Sequence, residues 1–332
     1  MAAKPRVFVT RKLPELGLKQ IAAACEMEVW PDQLPPSYDI IKQKIATCDG
    51  LVSLLTDKID GPLLDAAPRL KVVSNFAVGF NNIDIPAATE RGIAVGNTPG
   101  VLTDATADMA MVLLMTAARR IVEGVEDAKA GRWKTWEPVG WLGQDLANRT
   151  VGVIGMGRIG AAFARRCRFG WNMKVLYTDL HRNETVEKEL GATQVELETL
   201  LKESDFVSVH TDLNAQTKGM FTTGLFKQMK KTAVFINTAR GPLVDQKALA
   251  EALRNGDIFA AGLDVTDPEP LPADHELYKL KNCTIAPHVA SATVPTRDAM
   301  ARICAENVIA GVTGGKLTAL VNPEVEGKRR GA

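Results

Sequence analysis

Histidine and cysteine are scarce in this chain. Its 332 residues include four histidines, His181, His210, His275 and His288, and five cysteines, Cys25, Cys48, Cys167, Cys283 and Cys304. The cysteines are odd in number, scattered and never spaced as CxxC, which excludes a disulfide framework and a thiolate metal site and leaves a reduced, cytoplasmic protein as the expectation. No metal is expected. Charge of one sign is lacking too, for 40 basic against 39 acidic residues leave a formal net charge of +1 and no global attraction for nucleic acid or an anionic membrane. No apolar run reaches the ~18 residues of a membrane span, and the opening Met-Ala-Ala-Lys-Pro-Arg passes into a strand-like run without an apolar signal core. Aromatic residues make up only 5%, yet Trp133, Trp136 and Trp141 fall in one irregular stretch, residues 131–146, where they mark either an interface or packing within the monomer. What is present is the balance of a soluble globular protein, 46% apolar and 24% charged, at a length that suits two domains. A small molecule is the expected partner.

The most informative stretch is Thr150 to Gly160, Thr-Val-Gly-Val-Ile-Gly-Met-Gly-Arg-Ile-Gly. An apolar, β-branched run reads as a strand buried on both faces, and a helix-forming run follows the glycines. In that setting Gly155 permits a tight turn, Gly157 lets backbone approach a pyrophosphate, and Gly160 allows helix and strand to pack closely, with the helix N-terminus facing the anion. The spacing alone is weak, since any glycine-rich turn from strand to helix can show it. A second strand, Lys174 to Thr178, ends on Asp179, 19 positions beyond Gly160, where a carboxylate binds the ribose hydroxyls of NAD. His181 and Arg182 follow at once, and an arginine there can pair with a 2′-phosphate, so NADP stays open beside NAD.

Strand-like and helix-like runs alternate along the whole chain, which predicts an α/β protein with parallel sheets. Candidate helices include Pro14 to Ala24, with Leu16 on the buried side, a very apolar one from Ala105 to Arg119 capped by Thr103 or Asp104 and buried between domains or subunits, and an amphipathic one from Thr296 to Gly311. A breaker cluster, Asn97-Thr98-Pro99-Gly100, marks the first crossing between domains. Beyond the glycine motif, informative residues fall at strand ends: His210 and Thr211, then Thr238-Ala239-Arg240, then Asp264, then His288. Ligands of doubly wound sheets bind beyond the carboxyl ends of strands, so these positions should share a crevice with Gly155 and Asp179.

Arg240 precedes a glycine after an apolar strand, a costly place for a permanent charge unless an anion or a neighbouring loop engages its fork. Glu269 lies between Pro268 and Pro270 in a stiff loop, and a carboxylate held against an imidazole fixes its tautomer and favours its charged form. Histidine as proton donor, glutamate as its orienter and arginine on a carboxylate compose a site for 2-oxo and 2-hydroxy acids, with hydride from nicotinamide.

These residues carry a resemblance. Val-Phe-Val-Thr at 7–10, Thr98-Pro99-Gly100-Val101-Leu102-Thr103, the glycine motif, Asn237-Thr238-Ala239-Arg240-Gly241, Gly262-Leu263-Asp264-Val265 and Pro287-His288 resemble the D-isomer-specific 2-hydroxyacid dehydrogenases, nearest to the glyoxylate reductase/hydroxypyruvate reductase branch. The resemblance implies a Rossmann-like nucleotide-binding domain over residues 102–290 inserted into a smaller flavodoxin-like substrate domain formed by residues 1–101 and 291–332, and a homodimer. It implies Arg240, Glu269 and His288 as the catalytic set, the backbone of Val78 and Gly79 helping Arg240 hold the substrate carboxylate, and Ser291 near the substrate. Thr106 and Asp264 would lie near the nicotinamide, and Arg158 and Ile159 at the pyrophosphate. The chain departs from the family in carrying Asp212 where proline is usual, and Gly140 where members carry the tryptophan that reaches a partner subunit, with Trp141 one position on. Alternatives on this scaffold are another D-2-hydroxyacid dehydrogenase, a phosphite dehydrogenase, and a corepressor-like protein that binds NADH without turnover.

Overall fold

The β-branched runs of the chain are taken up by two sheets in which every pair of neighbouring strands is parallel. A computed structural model describes residues 3–331, which divide into two units, one running up to Leu102 and resuming at Ala292, the other Thr103–Ser291.

In the first unit β1 (Arg6–Val9), β2 (Glu26–Val29), β3 (Gly50–Ser53), β4 (Val72–Asn75) and β5 (Ala94–Gly96) stand in the order β2-β1-β3-β4-β5, the flavodoxin-like arrangement. Strands β3, β4 and β5 are buried at every position because helices cover both faces. On one face Ile41, Ile45, Leu63, Leu64, Ala87 and Ala88 come from three short helices, each opened by a side-chain cap: Ser37, Asp60 and Asp84. On the other face, helices Glu15–Ala24 and Val294–Thr313 pack together, and the latter lies along β3 and β4. Leu16 is 46% exposed, contrary to the sequence expectation, because Gly17 and Ile21 carry the contact instead. The helix expected to be amphipathic at 296–311 is longer and buried over most of its circumference, with Met300, Ile303, Cys304, Asn307 and Val308 inside. Two buried asparagines tie the returning chain to the sheet. Asn307 Nδ2 donates to Asn97 O at 2.9 Å, while Asn322 Oδ1 accepts from Val95 N at 2.8 Å and its Nδ2 donates to Ile93 O at 3.0 Å.

The second unit holds β6 (Thr150–Ile154), β7 (Lys174–Thr178), β8 (Thr193–Gln194), β9 (Phe206–Val209), β10 (Val234–Asn237), β11 (Ala260–Leu263) and β12 (Cys283–Ile285). Their order, β12-β11-β10-β9-β6-β7-β8, reverses direction between β6 and β9, the switch point of a doubly wound Rossmann sheet. The apolar helix, Thr103–Ala118, packs against β10, β11 and helix Arg158–Trp171, so its buried side finds partners within this unit. Thr103 and Asp104 lie in its first turn, not before it. A further helix, Ile121–Lys129, has no counterpart in the sequence reading. It begins after Arg120 in the left-handed region at φ 54°, and turns Ile121, Val122 and Val125 outward.

Candidate active site

The carboxyl ends of β7, β6, β9, β10, β11 and β12 set out the candidate residues of the second unit in spatial order: Asp179, the glycine turn, His210 and Thr211, Thr238 to Arg240, Asp264 to Glu269, and His288. Three inter-strand steps separate β7 from β10, about 14 Å at ordinary strand spacing, so the acid and the arginine stand well apart along the carboxyl edge of the sheet.

The glycine turn has two tight members and one open one. Gly155 has φ 92°, and a Cβ on it would fall 2.7 Å from the carbonyl carbon of His210, while a Cβ on Gly160 would overlap the carbonyl oxygen of Gly155. A Cβ on Gly157 would meet nothing within 4 Å. That glycine is not needed for packing. It leaves bare the N-terminus of helix Arg158–Trp171, where unpaired N–H groups and the helix dipole suit a pyrophosphate, with Arg158 and Ile159 in the first turn. Asp179 is held beside it by Met156 N, which donates to Oδ2 at 2.7 Å, and by His181 N, which donates to Oδ1 at 3.2 Å. A carboxylate accepts about four hydrogen bonds, so capacity for two ribose hydroxyls remains.

At the switch point His210 is enclosed, with Ser208 Oγ 2.8 Å from Nε2 and the Phe163 ring 5.1 Å away. Burial pushes its pKa down to about 3, so the ring is neutral. One strand further, the Thr238 Oγ1 is buried without a hydrogen-bond partner, a polar atom that a bound ligand would satisfy. Thr106 is buried in the first turn of helix Thr103–Ala118.

Asn237 shapes the end of β10. Its Oδ1 accepts from Ala239 N at 3.0 Å and its Nδ2 donates to Arg240 O at 2.9 Å, which turns the Arg240 backbone sharply after the strand. Burial lowers the Arg240 pKa, and the nearby charges of Glu269 and Asp212 act against that fall, so Asp212 bears on this guanidinium. In the loop after β11, Thr266 N donates to Glu269 Oε1 at 3.0 Å, and the Gln246 side chain holds the Asp267 backbone, accepting from its N–H at 3.0 Å. Glu269 Oε2 lies 2.8 Å from His288 Nδ1. Burial pushes the Glu269 pKa up, but the hydrogen bond and charge of His288, the Thr266 N–H and the charge of Arg240 together bring it below the usual carboxyl value. The carboxylate is therefore ionised and accepts, so Nδ1 carries the hydrogen and Nε2 is the atom left for a reacting partner.

His288 sits in the left-handed region at φ 52°. The reason is Asp264, whose Oδ1 and Oδ2 accept from Val289 N and Ala290 N at 2.8 Å each and pin the turn that carries the imidazole. With both oxygens so engaged and the residue 1% exposed, Asp264 acts on this loop in the structure. Ser291 ends the same turn, half-buried.

The first unit carries the remaining candidates on the loop after β4. Asn75 Nδ2 donates to Gly79 O at 2.9 Å and Asn97 Nδ2 to Val78 O at 2.8 Å, so both carbonyls are occupied. The Val78 and Gly79 N–H groups meet no acceptor among the described residues, a pair of donors suited to a carboxylate.

Residues 111–290 match the model of the NAD-binding domain of D-isomer-specific 2-hydroxyacid dehydrogenases. The chain belongs to that family. A glyoxylate reductase of Korarchaeum cryptofilum is 52% identical over 323 residues, 97% of each chain. Among solved structures, a protein of Thermus thermophilus superposes with a TM-score of 0.89 at 44% identity, covering 95% of this chain and 99% of that one. An NADPH-dependent glyoxylate/hydroxypyruvate reductase of Sinorhizobium meliloti, in complex with NADP and malonate, has a TM-score of 0.86 at 32% identity over 99% of this chain and 100% of that one. As a D-2-hydroxyacid dehydrogenase the chain is an oxidoreductase of the NAD(P)-dependent kind, and the open Gly157, the seated Asp179 and the unsatisfied Thr238 hydroxyl fit such a dinucleotide.

The grip of Asp264 on Val289 and Ala290 left no mark in the sequence, because it depends on which backbone groups a turn leaves unpaired, and no residue type announces that.

Proposed function

We propose that this dehydrogenase reduces glyoxylate to glycolate, and hydroxypyruvate to D-glycerate, with NADH or NADPH. The observation that carries the reading is the Glu269–His288 pair at 2.8 Å, beyond the ends of β11 and β12, one and two strands from the Arg240 turn and on the same sheet edge as the open glycine turn. Arg240 takes the substrate carboxylate through its fork, and the free N–H groups of Val78 and Gly79 supply donors for the same kind of anion. The bound nicotinamide supplies the hydride to the keto carbon. His288 Nε2 gives its proton to the keto oxygen, which becomes the hydroxyl, and Glu269 keeps the ring in the required tautomer while offsetting its charge. Thr106, Thr238, Ala239 and His210 line the dinucleotide crevice, and Asp264 fixes the His288 turn. Ser291 serves the substrate end.

We infer a homodimer in a reducing, cytoplasmic setting. In support, Trp133 and Trp136 are 69% and 79% exposed, and Ile121, Val122, Val125, Val139 and Leu142 are exposed with them along the segment from 121 to 142, the kind of apolar exposure that marks an interface. Arg120 lies over the Trp141 ring at 5.1 Å, which orders the end of that segment. The described cysteines are all unpaired.

Oxidation of NADH and NADPH, followed against glyoxylate, hydroxypyruvate, pyruvate and 2-oxoglutarate, tests the activity. Turnover should be highest with the two smallest-headed acids, glyoxylate and hydroxypyruvate. NAD reduction by phosphite, or tight NADH binding without turnover of any 2-oxo acid, would replace this reading with one of its rivals.

A further inference from the structure

The Rossmann half of the site contains an arginine that is held back. Arg182 stands three residues beyond Asp179, where a guanidinium would meet a 2′-phosphate on the adenosine ribose. Its fork is engaged elsewhere: Nε lies 3.1 and 2.9 Å from the two oxygens of Glu187, and Nη2 lies 2.7 Å from Oε2. Glu187 is itself fixed. Its side chain is only 15% exposed, and Oε1 accepts at 2.8 Å from the hydroxyl of Tyr177, a fully buried residue of β7. That hydroxyl accepts from Asn183 N at 2.9 Å, Asn183 Nδ2 donates to Met156 O at 2.9 Å, and Met156 N donates to Asp179. A continuous set of hydrogen bonds therefore runs from the glycine turn and the ribose-binding acid to the carboxylate that captures the arginine.

We propose that Glu187 is a specificity-determining residue that disfavours NADPH, by keeping Arg182 paired away from the 2′ position. It acts alongside Asp179, so the chain carries two separate barriers to the phosphate: a carboxylate where the phosphate would sit, and a second carboxylate that withholds the only arginine within three residues of it. The hydrogen bonds from Arg182 and Tyr177 keep Glu187 below the usual carboxyl range, so the clamp is charged throughout the working range of pH. The inference rests on the crevice being the seat of a nicotinamide dinucleotide.

The test is binding, read by quenching of protein fluorescence as NADH or NADPH is added to the purified protein without substrate. Arg182→Ala in the otherwise unchanged protein should leave the Kd for NADPH within about twofold, because the withheld guanidinium contributes little. Asp179→Ser should raise the Kd for NADH. Adding Glu187→Gln to Asp179→Ser should then tighten NADPH on the order of tenfold, the worth of a charge-assisted hydrogen bond to phosphate, and Arg182→Ala in that double variant should abolish the gain. A marked loss of NADPH affinity in the single Arg182→Ala protein, or a Glu187→Gln gain that survives without Arg182, would overturn the proposal. Arg182 is 66% exposed, so the first of these readings does not depend on a variant that fails to fold. Should the unchanged protein bind neither dinucleotide, the reading of the crevice falls and this inference with it. NADH binding with the wrong Arg182 pattern overturns this inference alone.

Discussion

His288 has one nitrogen to offer because Glu269 occupies the other. Glu269→Gln removes the ionised acceptor that orients the imidazole through Nδ1, so kcat for glyoxylate reduction should fall while the Kd for NADH holds. An unchanged kcat would uncouple the two residues. The lowered Glu269 pKa also has a stability consequence. The unfolded chain binds that proton more readily, so the contribution is fully present above the ordinary carboxyl value near 4.5 and disappears as pH falls through the lowered folded value. Acid titration of the wild-type Tm should therefore fall more steeply there than that of Glu269→Gln. His288→Ala should lower kcat by about 10²–10⁴-fold with the Kd for NADH unchanged, since only proton donation is removed. Arg240→Lys keeps the charge but not the fork, and the KM for glyoxylate should rise on the order of tenfold or more. By contrast His210, with its pKa near 3, should show no imidazole titration by NMR between pH 5 and 8. The polar residues at strand ends were legible in the sequence because each follows an apolar run. Glu187 was not, for nothing in a helical Glu-Thr-Val-Glu-Lys-Glu-Leu segment tells which of its acids will meet a buried tyrosine.

Among the elements, the turn after β6 separates packing from binding within a single motif. Gly160→Ala would drive a methyl into the Gly155 carbonyl and should destabilise the second unit, visible as a lower Tm with or without nucleotide. Gly157→Ala has open space, so the Tm of the free protein should hold while affinity for NADH falls, the added methyl standing where the pyrophosphate would approach. Equal losses of Tm in both variants would remove this distinction. The alternation of strands and helices could be read from the chain because parallel strands buried on both faces make uniform apolar runs, as at Val151 to Ile154. Helix Ile121–Lys129 escaped for the opposite reason. Gly124 interrupts it, and its aliphatic residues face outward, so its period does not point to a core of its own chain. Likewise the first turn of helix Thr103–Ala118 absorbs both residues that looked like caps, since local hydrogen-bonding preference yields to the packing of the turns that follow.

For the whole molecule, the exposed tryptophan segment makes assembly testable: Trp136→Glu should shift sedimentation toward the monomer, whereas an unchanged dimer would place the interface elsewhere. The first unit is split, and its two pieces are joined by Asn307, Asn322 and the long helix Val294–Thr313. That arrangement fixes an order of events on the ribosome. The five strands of the first sheet emerge early, yet the helix that shields one of their faces is made only after all of Thr103–Ser291, a wait of roughly 10–40 s at ordinary elongation rates. Through that interval Val72, Val308's future neighbour Gly50, and the rest of the inner face must be guarded by the nascent chain's other segments or by a chaperone. A ribosome stalled just after Ser291 should hold a first sheet that is still protease-sensitive, and release of the remaining residues should make it resistant in one step.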